Sequence, residues 1–303
     1  MTERNTESEA EPQPFIGFSQ FVMNHPFRIA NVETIKEAAR RAGARIVVTD
    51  AEGSAEVEAQ NVQWMLDQGV DAVIISSLSG AESHEMYRRV AETGTPLIIF
   101  ASGLPSDEYD VPYTTYVGSN EKWVGAQAAE YIGKRLGVSG GKIVVLYGPM
   151  ESSNARLRGS GFKLELERSY PQVEITGHLT GDWLRDSAFE LMTQYLTQHP
   201  HVDAVFAEND EMALGAMDAL VRWDPHASTF IVGVDGQQAA LCEIWSGGPF
   251  AMTVRTEFDG DAAVHAAIDA LRGRDVPSRI ELAASVITVK NIDQFLHQRR
   301  TTW

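Results

Sequence analysis

Short apolar runs rich in β-branched residues recur along the chain, each followed by a longer stretch whose apolar positions return every three or four residues. That alternation predicts an α/β fold, in which a parallel sheet carries helices on both faces. In the first half the expected strands are Phe15–Ser19, Arg45–Thr49, Ala72–Ser76 and Leu97–Ala101. Helices run between them, as over Ala30–Ala42, where Ala30, Ile35, Ala38, Ala39 and Ala42 form the apolar stripe. Strands this continuously apolar mark burial on both faces. The second half repeats the scheme with Ile143–Tyr147, Val173–Gly177, Ala204–Ala207, Phe230–Val234 and Met252–Arg255.

The halves also share residues. Val70-Asp71-Ala72-Val73 returns 132 positions later as Val202-Asp203-Ala204-Val205, each time after a helix and opening a strand. The expected architecture is therefore two doubly wound parallel-sheet lobes. A chain of 303 residues suits two lobes, because single cores stop growing near this size. Ligands of such sheets sit beyond the carboxyl ends of the strands, so two facing lobes would enclose a cleft there.

Composition narrows the function classes. With 25 Lys+Arg against 42 Asp+Glu the formal charge is −17, which repels a phosphate backbone and excludes nucleic acid as a partner. No apolar run approaches the roughly 20 residues of a membrane-spanning helix. Cys242 is the only cysteine, so there is neither an intrachain disulfide nor a cysteine metal site. Met1–Pro14 is acidic and polar and reads as a disordered leader, not a signal peptide.

The candidate chemistry collects where the strands end. Those ends read Ser19-Gln20, with Asn24-His25-Pro26-Phe27-Arg28 opening the next helix; Ala101-Ser102; Trp183 after Gly177–Gly181; Glu208-Asn209-Asp210; Asp235-Gly236; and Arg255-Thr256. Amides, carboxylates and guanidiniums can bridge adjacent hydroxyls, while an aromatic ring covers the apolar C–H face of a sugar. The plainer duty of Asn209 and Asp235 would be to cap the helices that follow them.

Four segments carry a family resemblance. Ala204-Val205-Phe206-Ala207-Glu208-Asn209-Asp210-Glu211-Met212-Ala213-Leu214-Gly215-Ala216 resembles the strand-to-helix signature of the ribose-binding-protein group of type I periplasmic binding proteins. Asn154 to Phe162, Val232-Gly233-Val234-Asp235-Gly236, and Gly17-Phe18-Ser19-Gln20 with Phe27-Arg28 are similar to further family segments, the last to galactofuranose-binding members. The resemblance covers about Phe15 to Val289. It implies Phe27 and Trp183 as aromatic plates on either side of a sugar, with Arg158, Asn209 and Asp235 as polar contacts. Arg28, Ser19, His25 and Thr256 are further candidates. Ribose-type members carry Asp-Arg where this chain has Ala101-Ser102, and a glutamine is usual where the closing strand ends in Arg255-Thr256, so ribose is expected to bind poorly. A neutral sugar or polyol is expected over a sugar acid, with Asp235 balancing one cleft arginine and a carboxylate such as Asp182 the other.

The resemblance also implies a three-segment hinge, near Ser119-Asn120, Thr256-Glu257 and Ile280–Ser285. The first lobe would then hold residues 15–119 with 257–280, and the second 120–256 with 281–303. It further implies a monomer outside the cytoplasm, periplasmic or lipid-anchored, that feeds the membrane permease of an ABC importer. No catalytic residue, cofactor or metal is expected. A lactose-repressor-type regulator shares this core but would need a DNA-binding domain ahead of the first strand, and a sensor subunit for a membrane kinase or chemoreceptor would share the ligand site.

Other signals are set aside on physical grounds. Gly137-Val138-Ser139-Gly140-Gly141 spells a nucleophile elbow, but with a helix before it and a strand after it the order is reversed, and it reads as a helix-ending turn. His199-Pro200-His201 lacks a third metal ligand nearby. Trp123 and Trp245 are expected to pack on helices. Arg156 and Arg158, two apart on a helix, cannot both face the cleft. A hydrolase pairing Asp235 with Glu208 would need both carboxylates at the substrate.

Overall fold

A computed structural model describes residues 12–78, 81–104 and 111–296. Of the expected leader, residues 1–11 lie outside this set. The chain forms β1 (Phe15–Gln20), α1 (Pro26–Arg41), β2 (Arg45–Asp50), α2 (Ala55–Asp67), β3 (Ala72–Ser76), α3 (Ala81–Glu92), β4 (Leu97–Phe100) and β5 (Thr115–Gly118). It continues with α4 (Glu121–Leu136), β6 (Gly141–Tyr147), α5 (Ser153–Ser169), β7 (Val173–Thr180), α6 (Arg185–Gln198), β8 (Ala204–Ala207) and α7 (Asp210–Trp223). Then follow β9 (Phe230–Val234), α8 (Gln238–Ser246), β10 (Phe250–Thr256), α9 (Gly260–Leu271), β11 (Arg279–Glu281), β12 (Ala284–Thr288) and α10 (Asp293–Leu296).

Two six-stranded sheets result, ordered β11, β5, β4, β3, β1, β2 and β12, β10, β9, β8, β6, β7. The orders correspond strand for strand, and each sheet is wound in both directions from its first strand. One strand departs from the parallel rule. β12 runs antiparallel to β10, with Thr256 opposite Ala284, because the chain leaves the first sheet at the cleft end of β11 and, only two residues later, enters the second sheet at its cleft end. β5, β11 and β12 were not expected from the sequence. β11 holds a single apolar residue, Ile280, in three, and its place is set by pairing with β5.

The central strands β3, β4, β8 and β9 are buried at every position, which is why they read as unbroken apolar runs. Each sheet has a core on both faces. In the first lobe Ile35 and Ala39 of α1 meet Val264 and Ala267 of α9 on one side, and Met65, Tyr87 and Val90 fill the other. In the second, Val124 and Ile132 of α4 with Phe162 of α5 cover one face, and Met192, Leu214 and Ile244 the other.

The chain passes from the first sheet to the second between β5 and α4, returns between β10 and α9, and passes again between β11 and β12. Across the gap the lobes are hydrogen-bonded at the start of α5. Ser153 N donates to Leu78 O at 3.1 Å, Gly103 N to Ser153 Oγ at 3.1 Å, and Asn154 Nδ2 to Ala101 O at 3.1 Å. The cleft is thus closed.

Two expectations outside the cleft can be placed. Gly137–Ser139 is a short 3-10 turn leading into β6, the arrangement of a helix end. Trp123 and Trp245 do lie on helices, but at 39% and 62% exposure they are surface residues, because each falls on the solvent side of its stripe.

Candidate functional site

The first lobe's wall begins where β1 ends. His25 occupies the N-cap of α1 and Pro26 its first turn, which suits a ring that fixes φ and has no N–H to satisfy. The helix therefore starts with Phe27 and Arg28 at the cleft. Phe27 is half-buried, edge-on to Phe258 with centroids 5.7 Å apart, and His25 stacks on it at 6.3 Å. Burial, and then the Arg28 charge, push the His25 imidazole down to about 3, so it is neutral at pH 7.

Arg28 is buried and anchored on neutral acceptors. Its Nη1 donates to Gln20 Oε1 at 2.7 Å, Ser76 O at 3.0 Å and Ser76 Oγ at 2.9 Å, and its Nη2 lies 3.5 Å from Ser102 Oγ. Burial lowers its pKa to about 10, with Glu58 and Tyr87 acting the other way, and it remains charged at neutral pH. Glu58 lies fully buried behind this wall. Its Oε2 accepts from Ser77 Oγ at 2.5 Å, while Oε1 has no hydrogen-bond partner among the described residues. Burial pushes its carboxyl up to about 7 against the pull of Ser77 and Arg28.

The second lobe's wall is built on Arg158 of α5, 3% exposed. Its Nε donates to Glu121 Oε2 at 2.5 Å, its Nη1 to the Glu208 carbonyl, and its Nη2 stands 3.8 Å from Asp235 Oδ1. Burial acts to lower its pKa, but Glu121, Asp235 and Glu208 outweigh that and the net shift is upward. The Glu208 carboxylate accepts from Gly148 N at 2.8 Å, turned away from the cleft, and burial raises it to about 8. Asp235 is thus the one carboxylate among the described residues that line the cleft, which removes the hydrolase pairing of Asp235 with Glu208.

Trp183 faces the cleft from the loop after β7, with φ at +66°, and Asp235 has φ at +119°. Both sit in the region that favours glycine, and strain on the order of 1–3 kcal/mol at each must be held by its surroundings. Trp183 is held by Asn209, whose Nδ2 donates to its carbonyl at 3.0 Å while Oδ1 caps α7 by accepting from Met212 N at 2.9 Å. The indole lies against Gly148, where a Cβ would fall 2.0 Å from the ring.

The space between these walls, counted together with its solvent-open mouth, is about 340 Å³. His25, Phe27, Arg28 and Ser102 line it from the first lobe, and Ser152, Asn154, Arg158, Trp183, Asn209 and Asp235 from the second. Seven of the nine residues singled out in the sequence meet there. Ser19 does not, being fully buried beneath the wall with its Oγ unpartnered among the described residues. Thr256 is buried at the end of β10, outside the lining. Its neighbour Arg255 turns to Glu257 at 2.8 Å and to the Phe295 ring. Arg156 reaches back to the carbonyls of Met150 and Glu151.

The expected partner Asp182 is exposed and takes no part; Glu121 pairs with Arg158 instead. Sequence reading missed Glu121, whose place in the first turn of a helix looks like ordinary dipole compensation. It also missed Ser152 and Asn154, which the strand-end rule could have found, since they follow β6.

The fold and sequence have counterparts among known proteins. The family model described as periplasmic binding protein domain matches residues 16–275. A ribose import binding protein of Bacillus subtilis is 28% identical over 277 residues, 91% of this chain and 87% of that protein. A xylitol-binding protein of Mycolicibacterium smegmatis is 29% identical over 250 residues, 82% of this chain and 70% of that one. An ABC transporter solute binding protein from Bacillus halodurans, solved with myo-inositol, superposes with a TM-score of 0.87 at 25% identity, covering 95% of this chain and 99% of that chain. A matched family model, two corresponding sheets and a cleft closed between them lead to one conclusion: the chain belongs to the periplasmic binding protein domain family.

Proposed function

We propose that this protein is the extracytoplasmic solute-binding component of an ABC importer, a monomer that closes its lobes around one small neutral sugar or polyol and presents it to a membrane permease. The observation that carries the reading is a cleft between two lobes that are hydrogen-bonded across it, with an aromatic side chain on each lobe, Phe27 and Trp183, and charged hydrogen-bonding groups between them. Relatives named for ribose and xylitol, and a solved structure holding myo-inositol, support the class.

Within the site, Phe27 and Trp183 cover the apolar faces of the ligand, and Arg28, Arg158 and Asp235 meet its hydroxyls. Asn209 has one N–H left for a ligand, since its Oδ1 and its other N–H serve the protein. Ribose is a weak ligand in this reading. The Ala101 carbonyl is taken by Asn154, and the Ser102 hydroxyl donates to Ser77 O at 2.6 Å, so that rim offers ring hydroxyls little.

A thermal-shift screen against sugars, polyols and sugar acids tests the proposal. A ligand bound by the folded state alone raises the melting temperature by mass action. The expected result is a clear rise with at least one neutral member, and a library that produces no rise at all sinks the proposal.

A further inference from the structure

The cleft brings together two buried arginines of different surroundings. Among the described residues, Arg28 has Gln20, Ser76 and Ser102 as its side-chain hydrogen-bond partners. Arg158 meets a carboxylate directly, Glu121, at 2.5 Å with both side chains 3% exposed. Counting the described residues that line the ligand space, Arg28 and Arg158 stand against the one carboxylate Asp235, a positive site suited to an acid. Adding Glu121 brings the count to zero.

Glu121 does not line the cleft. It lies behind Arg158, at the start of α4, and the two helices approach closely enough there that a Cβ on Gly125 would fall 1.9 Å from Arg158 O and one on Gly161 2.0 Å from Lys122 O. The pairing is therefore fixed by backbone contact between α4 and α5. A buried carboxylate at this distance keeps Arg158 charged, occupies its Nε and lowers the positive potential felt in the ligand space, while Nη2 stays at the cleft near Asp235.

We propose that Glu121 is a specificity-determining residue: by neutralising Arg158 from behind, it makes the cleft select uncharged polyols and sugars over the sugar acids of the same carbon skeleton. This rests on the ligand class proposed above. An arginine without that partner would form a charge-assisted pair with a ligand carboxylate; with it, a bound carboxylate lies near Glu121 and Asp235 and is repelled.

The test is calorimetric titration of wild type and Glu121→Gln with matched pairs: xylitol and xylonate, glucitol and gluconate, glucose and glucuronate. Wild type is expected to favour the neutral member of each pair it binds. Glutamine keeps an acceptor for Arg158 Nε and removes the charge, so the acid-to-neutral affinity ratio should rise by about tenfold or more. Glu121→Asp should hold the ratio near the wild-type value. General loosening of the site would weaken both members alike and leave the ratio unmoved, which separates specificity from a merely structural role. An unchanged ratio in Glu121→Gln overturns the inference and leaves the proposed function standing. Preference of wild type for the acid overturns it without any variant. Failure of wild type to bind any neutral or acidic sugar in the wider screen overturns the proposed function and this inference together.

Discussion

Asn209 shows how one side chain can serve fold and site at once. Its oxygen caps α7 and its amide group holds the Trp183 carbonyl, so alanine would disturb both and would not separate them. Asn209→Asp keeps the capping oxygen and removes the donor. We expect a lower melting temperature, because the Trp183 carbonyl is left unsatisfied, and ligand affinity weaker by about 1–3 kcal/mol, because the donor facing the ligand is lost as well; unchanged affinity in titration would show that the ligand does not use this amide. Glu58 is the residue whose effect depends on pH. Its carboxyl is pushed up to about 7 by burial, so between its unfolded pKa and about 7 the folded state binds more protons than the unfolded one. Its contribution is fully present at low pH and is lost as pH rises through about 7. Glu58→Gln should therefore gain stability relative to wild type as pH goes from 5 to 8, on the order of 2 kcal/mol, and denaturant melts at the two pH values check it. A difference that does not change with pH would place the Glu58 pKa elsewhere. His25, pushed down to about 3, acts in the opposite sense below about pH 6.5, and is unchanged between the two proteins.

Among the elements, α4 and α5 matter most because they carry the Glu121–Arg158 pair. Their contact needs glycine at Gly125 and Gly161, where a side chain would strike the facing backbone, and backbone yields less readily than a flexible side chain. Gly161→Ala should separate the helices, lower stability by about 1–3 kcal/mol and weaken ligand binding together with it. Melting and titration of the same sample test this. A variant that is destabilised yet binds normally would mean that Arg158 tolerates movement of α5. The start of α5 has a second role, since Ser153 and Asn154 bond the first lobe directly without a ligand between them.

For the whole molecule, the proposed site is split between lobes joined by three chain crossings, and we propose hinge rotation as the motion that admits and retains a ligand. Small-angle scattering should show a smaller radius of gyration at saturating ligand, and no change would count against closure. Asn154→Ala removes one ligand-independent bond between the lobes. It should shift the ligand-free protein toward open forms, giving a larger ligand-free radius and weaker affinity through the reduced closed fraction. The net charge of −17 makes copies of the chain repel one another, which is consistent with the proposed monomer.

The sequence by itself determined the features that depend on local burial. Ala72–Ser76, Ala204–Ala207 and Phe230–Val234 appear with the bounds their apolar runs imply, because strands buried on both faces leave no polar position to blur the pattern. Phe27, Arg28, Trp183, Asn209 and Asp235 could be found because a doubly wound sheet sends its ligand to the strand ends, and these residues stand there. Tertiary structure alone decided the rest. β11 and β12 exist because neighbouring strands offer unpaired edges, and a segment such as Arg279-Ile280-Glu281 carries no periodicity long enough to show it. Asn209 and Asp235 looked alike as caps, yet only Asn209 caps, since α8 begins after Gln237. Asp182 and Glu121 are both carboxylates near helix starts. Only the crossing of α4 on α5 buries one of them against Arg158, and the cleft's charge follows from that packing, which couples residues 37 positions apart that no local pattern joins.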